Sequence, residues 1–155
     1  MAERFGFGAI EDAIVTLLTD NSTALNNGLD REVKAIITKK PDNIVIGLPK
    51  YPAICVWIDN ADMEFRGASK RKNVEAHYQL HYWTHDKYSI DKSKDEADLL
   101  GGNIVYIIDG NTGIASLSST RGYIIATRIS YDYNTNESGF ITHGSVDLTV
   151  VRVLN

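Results

Sequence analysis

At 155 residues the chain fits one domain, 1–155, and its 43% hydrophobic content supplies a core and excludes a disordered chain. Its 16 Lys and Arg against 20 Asp and Glu leave a net charge of −4, which excludes a global basic field for holding nucleic acid, so any DNA contact is local or steric. One cysteine, Cys55, excludes an internal disulfide, and no segment nears ~18 continuous apolar residues, so no membrane span is expected and the cytosol, or something assembled there, is the expected location.

Residues 1–8 read as a flexible arm, with Gly6 and Gly8 loosening it and Phe5 and Phe7 lacking an evident core partner. Ala9–Leu18 repeats at helical spacing: Ile10, Ile14, Leu17 and Leu18 share a face, and the polar run closing on Gly28 ends the helix. A second helical period, Leu29, Val33, Ile36 and Ile37, predicts another helix, although its β-branched residues suit a strand as well. After a turn-rich stretch holding Pro49 and Pro52, Ala53–Asp59 is a nearly continuous apolar run, as in a strand covered on both faces. Cys55 within it reads as a small core residue rather than a nucleophile.

The segment Ala61–Asn73 is long for a hairpin connection, acidic at Asp62 and Glu64 and then basic at Arg66, Lys70, Arg71 and Lys72. It reads either as a solvated loop tip or as a projecting hairpin that touches a partner, with Met63, Glu64, Phe65, Arg66, Lys70, Arg71 and Lys72 as the contact residues. Asn73–Trp83 follows and organises the chain. Val74, Ala76, Tyr78, Leu80 and Tyr82 fall on one parity and Glu75, His77, Gln79 and His81 on the other, so this is a long strand with one apolar and one wet face.

A cap among Asp91, Ser93 and Asp95 opens a further helix, with Ala97, Leu100, Ile104, Ile107 and Ile108 along one face. Gly101 and Gly102 weaken it, which a close approach to the sheet would explain. Residues 122–133 alternate again. The last strand, Phe140–Leu154, changes parity near Val150, which together with Gly144 suggests a bulge or twist. The expected fold is α+β: a mainly antiparallel sheet of four or slightly more strands with helices packed on one face.

Motifs for chemistry are weak. His77, His81 and His85 resemble a metal cluster on paper, but strand residues four apart lie ~13 Å apart, too far to share one ion. No phosphate-binding glycine loop and no nucleophile elbow occurs. No cofactor, no metal and no catalytic residue is expected.

The helix Ala9–Leu18, YPAICVWI at 51–58, KRKNVEAHYQLHYW at 70–83, the helix after DKSKDEADLL and the paired final strands stand in an order that resembles the tail terminator (tail completion) proteins of long-tailed bacteriophages. The likeness lies in pattern and size. It implies a non-enzymatic virion subunit in a hexameric ring that caps the tail tube and joins it to the neck, assembled in the bacterial host cytoplasm. The implied partners are other copies of the chain, the tail tube protein and a neck or connector protein, with DNA only passing through the lumen. Leu29–Ile37 and the glycine pair 101–102 depart from that layout. Two alternatives remain: another head–tail connector or tail subunit, and a small α+β ligand-binding domain or enzyme using Tyr78, Tyr82, Trp83 and the histidines.

Overall fold

The computed structural model describes residues 7–38, 51–66, 71–115, 122–136 and 139–154, with the backbone alone described at 63–66, 71–73, 114–115, 133–136 and 153–154. In chain order the elements are α1 (Phe7–Asp20), α2 (Ser22–Leu25), β1 (Ala35–Ile37), β2 (Ala53–Arg66), β3 (Arg71–Asp86), α3 (Ile90–Asp109), a 3-10 turn (Thr112–Ala115), β4 (Gly122–Asn136) and β5 (Gly139–Leu154). The strands form one mixed sheet in the order β1-β2-β3-β5-β4. Among the described strands only the β1–β2 pair is parallel. The expected α+β class and one-sided helical cover are therefore present, with five strands.

β3 lies at the centre because its alternation is the most complete. Val74, Ala76, Tyr78, Leu80 and Tyr82 are all buried, facing Ile10, Ile14 and Leu18 of α1 and Leu100, Ile104 and Ile108 of α3 in one core. A valine, leucine or isoleucine in this core contributes ~1.5–3 kcal/mol when fully buried. A slip of one residue would expose all five and bury Glu75, His77 and His81, so the register is held firmly. Val146, Leu148 and Val150 of β5 and Ile124 of β4 complete the apolar face.

Several local expectations change. The first helix takes in Phe7 and Gly8, assigned above to the arm; the carbonyl of Phe7 accepts the Tyr78 hydroxyl at 3.1 Å, and residues 1–6 lie outside the described residues. Leu29–Ile37 is not a helix. Its β-branched end, Ala35–Ile37, pairs parallel with Ala53–Cys55, where a sheet neighbour outweighs weak helical propensity. The cap of α3 is Ser89, whose hydroxyl accepts Lys92 N–H at 3.3 Å. Asp86 supports that turn by accepting the N–H groups of Tyr88 and Ser89 at 2.9 and 2.8 Å. Ser93 instead points inward, bonding Thr142 Oγ1 at 2.8 Å.

The expected bulge in the last strand is absent: β5 pairs with β3 without a shift from Phe140 to Leu154. The irregularities lie in the two flanking strands, between Ile58 and Asn60 of β2 and between Ala126 and Arg128 of β4. The first explains why the strand beginning at Ala53 does not stop at Asp59. One extra residue shifts parity, so that Ala61 pairs with Ala76 and Met63 with Val74, and pairing continues to Arg66.

Candidate assembly interface

The hairpin singled out in the sequence consists largely of paired strand. Met63, Glu64, Phe65 and Arg66 stand opposite Val74, Asn73, Lys72 and Arg71, and Lys70 lies outside the described residues. β5 runs beside this end of β3, reaching Lys72 with Leu154. The segment is therefore a three-stranded extension of the sheet, with 67–70 as the connection, rather than a loop of thirteen residues.

The face of the sheet away from the helices carries the other parity. Here β2, β3 and β5 bring together side chains distant in the chain. His81 stacks on Trp57 at a 4.1 Å centroid distance and on His143 at 4.8 Å, and His143 stacks on Trp83 at 5.0 Å. Cys55 is buried with Trp83 beneath this group, which leaves it no nucleophile's exposure. Gln79 Oε1 lies 3.0 Å from His81 Nε2, so that nitrogen carries a proton and donates. The other ring nitrogen, Nδ1, accepts from Nε2–H of His143 at 2.6 Å. Burial, and then the neighbouring His143, pull the pKa of His81 down to about 4. Burial lowers that of His143 as well, against the raising influence of Asp132. Both imidazoles are neutral at pH 7.

His77 stands apart from that stack. Its Nε2 lies 3.7 Å from Asp62 and 3.6 Å from Glu75, and its Nδ1 lies 3.4 Å from Thr149 Oγ1. With Asp59, Asn60, Gln79, Thr127 and Asp147 it lines a shallow depression of about 500 Å³. Of the three histidines expected on the wet face, His81 is held in a stack with His143, His77 is a separate, acid-flanked ring, and His85 stacks on Tyr51 at 5.5 Å. Among the described residues no three His, Cys, Asp or Glu side chains are placed to hold a metal ion. Another hollow, of about 630 Å³, lies between α2 and α3 and is lined by Asn21, Asn27, Asn103 and Tyr106. Asn103 there donates to the carbonyls of Leu25 and Asn27 at 2.9 and 3.0 Å, a structural tie.

Sequence reading missed His143, Arg128 and the outer edge of β4. The odd-numbered polar run His143, Ser145, Asp147 and Thr149 is a signal for an uncovered face, but nothing in it says which β3 residue each meets. On β4, the bulge splits an apparently uniform alternation. Tyr123 and Ile125 stand level with Val151 and Thr149, whereas Ile129 and Tyr131 stand level with Val146 and Gly144 on the helix side. All four are exposed, by 37% to 49%.

No described helix is long and apolar enough to cross a membrane. No family model and no curated protein matches the sequence. The fold is similar to that of a chain in the solved structure of the virion of a native gene transfer agent particle, with a TM-score of 0.53 and 15% identity over 98% of this chain and 100% of that one. At that identity the likeness is one of fold.

Proposed function

We propose that this chain is a structural subunit of a phage-like virion and, more specifically, a tail terminator: a ring-forming protein that caps the tail tube and joins it to the neck. The observation that carries the reading is the match in fold with a chain of a gene transfer agent virion, which spans 98% of this chain and 100% of that one. The uncovered sheet face suits a passage for DNA. It carries Asp59, Asp62, Glu75, Asp132 and Asp147 against Arg128 among its described side chains, so phosphate would be repelled rather than held. Under this reading the protein is not an enzyme, needs no cofactor, and acts through contacts with its own copies, the tail tube and a neck protein. Its place is the virion.

Electron microscopy of the purified chain, alone and mixed with tail tubes, tests the proposal. Closed rings that seat on tube ends are expected. Rings that bind the head connector and leave tube ends bare would instead support another neck component of the same particle. A monomer that leaves tubes unaltered would overturn both.

A further inference from the structure

Apart from the three-residue β1, the long outer edges among the described strands are β4 and β2 beyond Cys55, since β1 reaches only Ala53–Cys55. One group on the β2 edge is already engaged, the N–H of Ile58, which donates to Glu11 of α1 at 2.8 Å. Asn60–Arg66 lies past that point with no further described strand beside it. Long uncovered edges are usually blunted by charge, proline or a covering element, because they invite another strand. β4 is 15 residues long, contains no proline and exposes Tyr123, Ile125, Ile129 and Tyr131.

We infer that the outer edge of β4 pairs with the outer edge of β2, past Ile58, in a second copy of this chain, so that the sheet runs on from subunit to subunit. Three observations favour this occupant. Each neighbouring pair from β2 through β3 and β5 to β4 is antiparallel, so β2 and β4 run in opposite directions. Placing identical subunits side by side therefore brings the two edges together as an ordinary antiparallel ladder. The shapes also match. The β2 bulge at Asp59 and the β4 bulge at Thr127 bracket a single row, Ile58–Tyr78–Leu148–Ala126, so the bends of the two edges meet at one level. Charge agrees as well: at zero stagger Arg128, on the uncovered face at the β4 bulge, lies on the row Asp147–Gln79–Trp57 and so stands diagonal to the exposed Asp59 of the next copy. Head-to-tail pairing of unlike edges closes into a ring when the rotation permits.

This inference rests on the ring-forming reading above, and its test separates the two. At zero stagger Ile125 lies on the row Thr149–His77–Asn60, so it would neighbour Asn60 of the next subunit. One preparation carries Asn60→Cys and another Ile125→Cys, both at surface positions, with folding checked by circular dichroism. The wild type, whose Cys55 is buried, serves as the control. After mixing and treatment with a short bismaleimide, cross-links between the two variants are expected in the oligomer. An oligomer without them, or with Ile125→Cys joined only to itself, would overturn the edge pairing while leaving the ring reading intact. A protein that stays monomeric would overturn both. In parallel, R128E should weaken assembly about tenfold, and adding Asp59→Lys should restore it. Unchanged assembly of R128E, or no restoration, would count against the charge match.

Discussion

The ring of Tyr82 lies across Gly144 of the adjacent strand and reaches Gly101 of α3, and a Cβ at either glycine would overlap it. The register pairs Tyr82 directly with Gly144, so the strand leaves room for the ring and the helix closes over it. Gly102, one residue on, has nothing within 4 Å of where its Cβ would be. Of these two adjacent glycines, packing therefore requires only Gly101 to be small. Gly101→Ala is expected to destabilise, by ~1–3 kcal/mol of overpacking less the ~1 kcal/mol gained in helix propensity. Gly102→Ala should stabilise by roughly 0.5–1 kcal/mol. Urea unfolding midpoints of the two variants decide the matter. If both rise, Tyr82 swings aside and the close approach is not enforced.

His81 and His143 predict how stability depends on pH. Their pKa values are lowered in the folded chain, His81 to about 4. The unfolded chain, with an ordinary value near ~6.5, therefore binds more protons between the two. Stability from the neutral pair is complete above ~6.5 and is lost as pH falls towards 4. Protonation would put N–H groups on both sides of the 2.6 Å contact. The full shift corresponds to ~3 kcal/mol, and since both rings are half-buried, about 1–2 kcal/mol is the expected loss between pH 7.5 and pH 4.5. Chemical denaturation at those two values measures it, and His81→Gln should flatten the difference. Equal slopes in wild type and variant would contradict the assignment.

Ser93 joins α3 to the sheet. Its hydroxyl bonds Thr142 Oγ1 at 2.8 Å, while Thr84 Oγ1 donates to the Ser93 carbonyl at 2.7 Å, all within the buried interior. Removing one hydroxyl leaves the other without that partner, at a cost of ~1–3 kcal/mol. Ser93→Ala should therefore destabilise by about that amount, and the double change Ser93→Ala with Thr142→Val should cost less than the sum of the singles, because partners in one bond are not additive. Additive losses in thermal or urea unfolding would show that the two hydroxyls act separately.

The basic end of the β2–β3 hairpin offers a test of assembly. Reversing Arg66, Lys70 and Arg71 to Glu is expected to weaken ring formation or tail attachment while the isolated subunit keeps its circular dichroism and unfolding midpoint. Charges at a rim govern orientation and encounter more than affinity, so the effect should shrink as salt is raised. Normal rings and normal tail attachment with all three reversed would make this end a solvated tip.

The sequence by itself determined the face of each central strand. Val74 to Tyr82 and Val146 to Val150 alternate without interruption, and burying one parity stabilises by far more than any local alternative. It also determined the helices α1 and α3, whose apolar stripes are long and regular. Ala35–Ile37 could not be read this way, because three β-branched or small residues suit helix and strand alike until a partner at Ala53–Cys55 selects one. The bulges at Asp59 and Thr127 were likewise hidden. A bulge is defined by mismatch with a neighbouring strand, and one strand's sequence holds no record of its neighbour. For the same reason His81 and His143, separated by 62 residues, became a pair only when β3 and β5 aligned. Periodicity reports which side of an element is covered; pairing across elements, and so every contact on the uncovered face, belongs to the tertiary structure.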